Sequence, residues 1–103
     1  MGAQEAYSAW TDGQATIVDV REQDEHDVTH IEGVPLIPMS ELLERMEELP
    51  DGPIVVMCRS GARSASVAQY LEEHLGRTGV ANLEGGIIAW AASGLPFEGD
   101  PPR

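Results

Sequence analysis

The sequence predicts an α/β domain, a small and mostly parallel β-sheet flanked by helices. Four short apolar runs are rich in Val and Ile and apolar throughout rather than alternating, which is typical of strands covered on both faces. These runs are residues 16–20, 34–37, 53–57 and 80–83. Segments with helical patterns lie between the runs, and strands that alternate with helices favour a parallel sheet.

Four segments are predicted to be helical. They are residues 3–10, 40–49, 62–75 and 86–92. The second begins with Ser40, a residue suited to an N-cap. The third is followed by Gly76, a common C-terminal stop. The apolar stripe expected along that third helix consists of Ser64, Val67, Ala68, Leu71 and Leu75.

Length and charge limit the class of protein. A chain of 103 residues suits one domain, which we assign to residues 1–97, with 98–103 as a flexible C-terminal tail. Its 18 acidic and 6 basic residues give a net charge of −12, which argues against binding to nucleic acid or anionic membrane. No secretory signal or membrane-spanning run is visible, so a soluble, cytoplasmic monomer is expected.

The chemistry is predicted around Cys58, the only cysteine in the chain. It follows the run 53–57 and precedes a predicted helix, and open α/β sheets bind ligands at this position. Residues 52–71 contain no carboxylate but include Arg59 and Arg63. A local positive pocket of this kind favours thiolate over thiol and suits an oxyanion ligand. From the residues alone, a small buried structural cysteine remains the alternative.

Besides Cys58-Arg59-Ser60-Gly61-Ala62-Arg63-Ser64, five further segments carry motifs, beginning with Asp19-Val20-Arg21-Glu22. Together, and in this order along the chain, they resemble the rhodanese family, although Thr29 stands where the family usually has Gly before His30. The matching segments are Asp19-Val20-Arg21-Glu22, His30-Ile31-x-Gly33, Ile37-Pro38, Cys58-Arg59-Ser60-Gly61-Ala62-Arg63-Ser64, Leu83-x-Gly85-Gly86-x-x-x-Trp90 and Gly94-Leu95-Pro96.

The resemblance implies a thiosulfate sulfurtransferase. Cys58 would attack the outer sulfur of thiosulfate or a similar donor, and the resulting persulfide would pass its sulfur to cyanide or a thiol. Arg59 and Arg63 would grip the sulfonate of the donor. No metal or organic cofactor is implied. The implied substrate-binding loop is Arg59, Ser60, Gly61, Ala62, Arg63 and Ser64.

Two other functions stay open. One is a non-catalytic module of this family that senses sulfur or binds a partner. The other is an arsenate reductase or phosphatase of related architecture, whose loop has Arg six positions after Cys, whereas here Arg63 is at five and Ser64 at six. We also expect Asp19 and Arg21 to form a structural ion pair, and Gly85-Gly86 to make a tight turn that can border the pocket.

Overall fold

The computed structural model describes residues 1–102, in which helices and strands alternate along the chain. The helices are α1 (Ala3–Thr11), α2 (Gln23–Val28), a 3₁₀ helix (Met39–Glu48), α3 (Ala62–Leu75) and α4 (Gly86–Ala92). The strands are β1 (Thr16–Asp19), β2 (Thr29–His30), β3 (Ile54–Met57), β4 (Val80–Asn82) and β5 (Glu98–Gly99).

The main sheet is parallel, with β3 between β1 and β4. Asp19 pairs with Met57 and Val56 pairs with Asn82, so the carboxyl ends of the three strands lie side by side. The predicted fold class, a mostly parallel sheet flanked by helices, is confirmed. Its consequence for the site is that Cys58 follows directly from the central strand.

The core lies on both faces of this sheet. Val55 and Met57 point to a cluster that contains Trp90 of α4, whereas Val56 and Cys58 belong to the opposite cluster with Leu71 of α3. Successive strand residues alternate between faces, so a strand covered twice is apolar at every position. This two-sided burial explains the continuous Val and Ile run of β3.

Two predicted elements differ from the structure. Residues 34–37 form a single parallel bridge, Asp19 to Leu36, rather than a strand. The reason is local, because Pro35 has no N–H to donate to a longer ladder. Residues 40–49 lie largely in the 3₁₀ helix, which is interrupted at Arg45 by a φ of −120° and ψ of 24°.

The third predicted helix is confirmed as α3, except at the end of its apolar stripe. Leu75 is 51% exposed, whereas Leu71 is fully buried. Leu75 is in the last turn, next to the left-handed cap Gly76, and lies outside the buried cluster that contains Leu71.

The expected tail is ordered in part. β5 pairs antiparallel with β2, the Asp100 N–H donates to the Val28 carbonyl at 3.0 Å, and the Thr29 hydroxyl donates to the Asp100 carbonyl. Backbone pairing thus holds residues 98–100 although no apolar pattern marks them, and the flexibility expected for 98–103 stays a prediction. Arg103 lies outside the described residues. No helix within residues 1–102 is both long and apolar enough to span a membrane.

Candidate active site

The loop from Cys58 to Gly61 joins the central strand to α3. Cys58 itself is only 1% exposed. Gly61 is the N-cap of α3 and has a φ of +103°, a left-handed conformation that favours glycine. A Cβ on Gly61 would also lie 3.2 Å from the Gly85 nitrogen. The tight loop therefore depends on glycine at this position, and it directs the amide groups that follow Cys58 back towards the sulfur.

Hydrogen-bond donors converge on the Cys58 sulfur. The Gly61 N–H lies 3.1 Å from Sγ and the Ser64 Oγ lies 3.3 Å from it. Burial alone raises the pKa of the Cys58 thiol, but hydrogen bonds from the Ser64 hydroxyl and from the N–H groups of Ser64, Gly61 and Ser60 outweigh it. The net pKa lies below the usual thiol value, as expected for a sulfur held in a ring of donors.

Asn82, at the end of β4, supports this ring. Its Nδ2 donates to the Gly61 carbonyl at 3.2 Å, and this fixes its Oδ1 towards the Ser64 hydroxyl at 2.5 Å. The single proton of Ser64 can be donated either to Asn82 or to the sulfur. Negative charge on the sulfur draws that proton towards Cys58, because hydrogen bonds to ions are the stronger ones. Asn82 was not predicted as a site residue.

The start of α4 holds the loop from the other side. The Ile87 N–H donates to the Cys58 carbonyl at 2.9 Å, and the Ile88 N–H donates to the Arg59 carbonyl at 3.2 Å. A Cβ on Gly86 would lie only 2.3 Å from the Arg59 oxygen, so glycine permits this close approach. The Gly85-Gly86 turn therefore contacts the active-site loop. These bonds fix two carbonyls of the loop on the side of α4, while the Gly61 N–H points to the Cys58 sulfur.

Arg63 is paired with a carboxylate that the sequence analysis did not foresee. Its Nη1 and Nη2 each lie 2.7 Å from an oxygen of Glu25 in α2. The bonds from Arg63 are the main reason that the pKa of Glu25 is lowered to about 2. Arg63 was expected to grip a donor, and in this structure its fork holds Glu25 instead.

Arg59 lines a cavity of about 170 Å³ beside the loop. The wall also contains Arg21, Asp24 and Glu25, so the formal charges of these four side chains cancel. A local positive pocket was expected from Arg59 and Arg63, and the two carboxylates of this wall were not foreseen. The acids come from α2, a helix of charged and polar residues without a buried side chain, and no apolar pattern marked it in the sequence.

The remaining loop residues have distinct places. The side chains of Ser60 and Ala62 are exposed, and Ala62 begins α3. The loop thus contributes chiefly backbone donors and the Ser64 hydroxyl to the sulfur. In the part of the chain that the structure describes, no cluster of three or more His, Cys, Asp or Glu side chains is placed to hold a metal ion.

The predicted ion pair between Asp19 and Arg21 is confirmed. Arg21 Nη2 lies 2.8 Å from Oδ2 of Asp19 and 2.6 Å from the Thr29 carbonyl, and Nε lies 3.1 Å from Oδ1. Both side chains are almost fully buried. The pair joins the end of β1 to β2 and so braces the wall of the cavity.

A single thiol follows the central parallel strand and is surrounded by backbone donors at a helix start, an arrangement typical of proteins that use a cysteine in covalent catalysis. Comparison with known proteins places the chain in a family. The chain belongs to the family of the rhodanese-like domain, which matches residues 2–93.

Individual relatives agree with this assignment. A sulfurtransferase from Allochromatium vinosum is 45% identical over 79% of this chain and 76% of its own length. The crystal structure of a rhodanese-related protein from Thermoplasma volcanium has a TM-score of 0.85 and 33% identity, and the match covers 97% of each chain. A thiosulfate sulfurtransferase from Pseudomonas aeruginosa has a TM-score of 0.80 and 30% identity; this chain is covered fully but spans only 20% of that one. Family and relatives support a sulfurtransferase-type role for this chain.

Proposed function

We propose that this protein transfers sulfane sulfur from thiosulfate or a similar donor to a thiol or to cyanide, with Cys58 as the carrier. The observation that carries the proposal is the ring of donors around Sγ, formed by the Gly61 N–H and the Ser64 hydroxyl. Such a ring stabilises a thiolate before the reaction and a charged persulfide after it.

The first half-reaction is attack of the Cys58 thiolate on the outer sulfur of the donor. With thiosulfate, a new S–S bond forms at Cys58, the S–S bond of the donor breaks, and its electron pair leaves with sulfite. The product is the Cys58 persulfide anion. No proton needs to be removed once the thiol is ionised, so this step requires no general base.

The second half-reaction returns the sulfur to an acceptor. A thiolate or cyanide attacks the outer sulfur of the persulfide, and the Cys58 thiolate leaves. The same donors that stabilise the thiolate make it a good leaving group. Transfer through an enzyme-bound intermediate predicts ping-pong kinetics.

The cavity beside Arg59 is the proposed place for the rest of the donor. It lies next to the loop and has room for a small molecule, at about 170 Å³. The guanidinium of Arg59 can give forked hydrogen bonds to sulfonate oxygens. The other loop residues proposed to contact substrate act through their backbone or, for Ser64, through the hydroxyl.

Intact mass spectrometry tests this function directly. Brief exposure to thiosulfate should add the mass of one sulfur atom, and cyanide should remove it. Because the chain has one cysteine, Cys58→Ser is a complete control and should gain nothing. Ser66→Ala is the matched control for a serine substitution in α3, because the Ser66 hydroxyl donates to the Ala62 carbonyl of the same helix. This variant should react like the wild type.

The same experiment separates the alternatives. A persulfide that forms but is never passed to any thiol or to cyanide would favour a sulfur-sensing module. No adduct from any donor, together with hydrolysis of a phosphate ester, would favour the phosphatase. Either result would overturn the proposed transfer.

A further inference from the structure

Glu25 contacts Arg63 at the start of α3 and also lines the cavity beside Arg59. Its carboxylate holds both terminal nitrogens of Arg63 at 2.7 Å, and it lines the cavity that contains Arg59. An incoming anion therefore meets a guanidinium that is already engaged and a negative charge beside it. Like charges brought together in a partly buried site cost binding free energy.

The position of Glu25 is fixed by its own helix. Glu25 Oε1 accepts the Glu22 N–H at 3.1 Å, and Glu22 accepts the N–H of Glu25 in return, forming a capping box at the start of α2. The carboxylate thus has partners on two sides, Arg63 and the backbone. Moving it aside for a substrate would break bonds to both.

We infer that Glu25 is a specificity-determining residue that disfavours the dianion thiosulfate and favours sulfane-sulfur donors with one negative charge or none. Organic thiosulfonates and organic persulfides belong to this class. This inference rests on the proposed function, because it assumes sulfur transfer to Cys58.

The chemistry of the favoured donors balances in the same way as that of thiosulfate. The Cys58 thiolate attacks the terminal sulfur of an organic thiosulfonate, the S–S bond breaks, and an organic sulfinate leaves with the electron pair. With an organic persulfide the leaving group is the thiolate of the donor. Each reaction yields the same Cys58 persulfide, and the donors differ in their leaving group: sulfite, an organic sulfinate or a thiolate.

The test compares thiosulfate with methanethiosulfonate, in which a methyl group replaces one charged oxygen. The quantity measured is the ratio of kcat/KM for thiosulfate to kcat/KM for methanethiosulfonate, with one saturating thiol as acceptor. Intrinsic reactivity of the two donors cancels when this ratio is compared between variants. The ionisation of Cys58 cancels as well.

Glu25→Gln should raise kcat/KM about tenfold for thiosulfate and about threefold for methanethiosulfonate, mainly through KM, since tenfold corresponds to about 1.4 kcal/mol of donor binding. Gln suits the capping box, so α2 should persist. Glu72→Gln removes the same charge from an exposed position later in α3, about 13 Å along the helix axis from Arg63, and should leave the ratio unchanged.

Two further variants separate the charge of Glu25 from its contact with Arg63. Glu25→Asp keeps the charge but shortens the side chain, so it should loosen the hold on Arg63 and raise the ratio less than Gln does. In an Arg63→Gln background, Glu25→Gln should still raise the ratio, because it removes a negative charge from the cavity wall. The rise should be smaller than in the wild type if release of Arg63 also contributes.

The inference is overturned if Glu25→Gln leaves the donor ratio at the value of the wild type while persulfide still forms with both donors. Failure of the proposed function gives a different result, namely no persulfide from either donor in any variant, or a persulfide that no thiol or cyanide removes. The two failures are therefore distinguishable in one set of measurements.

Discussion

Two arginine–carboxylate pairs stand close together beside the active-site loop, and they differ in burial. In the pair of Arg21 and Asp19 the side chains are 3% and 1% exposed. In the pair of Arg63 and Glu25 they are 36% and 26% exposed. Neither water nor a ligand can reach the pair of Arg21 and Asp19, so its partners stay together. In the pair of Arg63 and Glu25, a ligand can reach the side chains and replace one of the partners. Burial thus separates a structural pair from one suited to function.

The largest expected difference between the pairs is in stability. Asp19→Asn leaves the Arg21 charge buried without its partner, which should cost about 3–5 kcal/mol of unfolding free energy. Arg63→Gln breaks a half-exposed pair and should cost about 1 kcal/mol or less. Urea unfolding of the two variants against the wild type measures both values.

Equal losses of stability in Asp19→Asn and Arg63→Gln would contradict the comparison. Arg45→Gln serves as a reference for an exposed pair, because Arg45 binds Glu48 and Glu41 at the surface. At 30% exposure the Arg45 side chain is about as accessible as that of Arg63, so its loss of stability should be similarly small.

The next largest effect concerns the acidity of Cys58. Ser64→Ala removes a hydroxyl donor to Sγ and should raise the pKa of Cys58. The thiolate fraction at neutral pH then falls, and the pH profile of persulfide formation shifts to higher pH. Ultraviolet absorbance of the thiolate during a pH titration measures the shift.

Arg63→Gln tests whether the guanidinium also lowers the pKa of Cys58. Since Arg63 is bound to Glu25 and the loop donors contact the sulfur directly, Arg63→Gln should raise the pKa of Cys58 less than Ser64→Ala does. Ser66→Ala, one turn along α3 from Arg63, should leave it unchanged. A larger shift in Arg63→Gln would show that the guanidinium, and not the ring of donors, sustains the thiolate.

These contrasts also show what the sequence reveals. The Val and Ile runs predicted β1, β3 and β4 because burial on both faces imposes a local pattern. Cys58 was predicted at the site because it directly follows such a run and precedes Gly61, which is local information as well. The parallel sheet and the position of the Cys58 loop can therefore be predicted from the sequence.

The residues that other segments bring to the site could not be predicted from the sequence. Glu25 lies on a short polar helix without buried residues, so no apolar period marked α2. Its signal was the spacing of Glu22 and Glu25, which suits a capping box. Asn82 ends β4 and acts through amide contacts to Gly61 and Ser64 that no sequence pattern encodes. The pairing of β5 with β2 rests on backbone bonds, with one further bond from the Thr29 hydroxyl to the Asp100 carbonyl.

A smaller effect is expected in the response of stability to acid. In the folded protein the pKa of Glu25 is about 2, against an ordinary value of 4.5, so its ion pair stabilises the fold fully above about pH 4.5. That contribution is lost as the pH falls towards 2. Glu25→Gln should therefore lose less stability than the wild type over this range, by about 1 kcal/mol or less because the pair is half-exposed.

Urea midpoints of wild type and Glu25→Gln across the acid range check this sign. The difference between the two proteins should be constant near neutrality and shrink only below about pH 4.5. A difference that already changes around neutrality would assign the linkage to another group.

The smallest effect is the salt dependence of donor capture. The chain carries a net charge of −12, and the charged side chains that line the cavity cancel, so an approaching dianion is repelled at long range and gains little attraction from the wall. Raising the ionic strength from about 0.01 M to about 0.15 M shortens the Debye length from about 30 Å to about 8 Å. Second-order rate constants for persulfide formation should therefore rise about twofold for thiosulfate and less for methanethiosulfonate, which carries less charge. A fall with added salt would mean that attraction by Arg59 and Arg63 governs the encounter. The pair of Arg63 and Glu25 would then attract anions instead of selecting against the dianion.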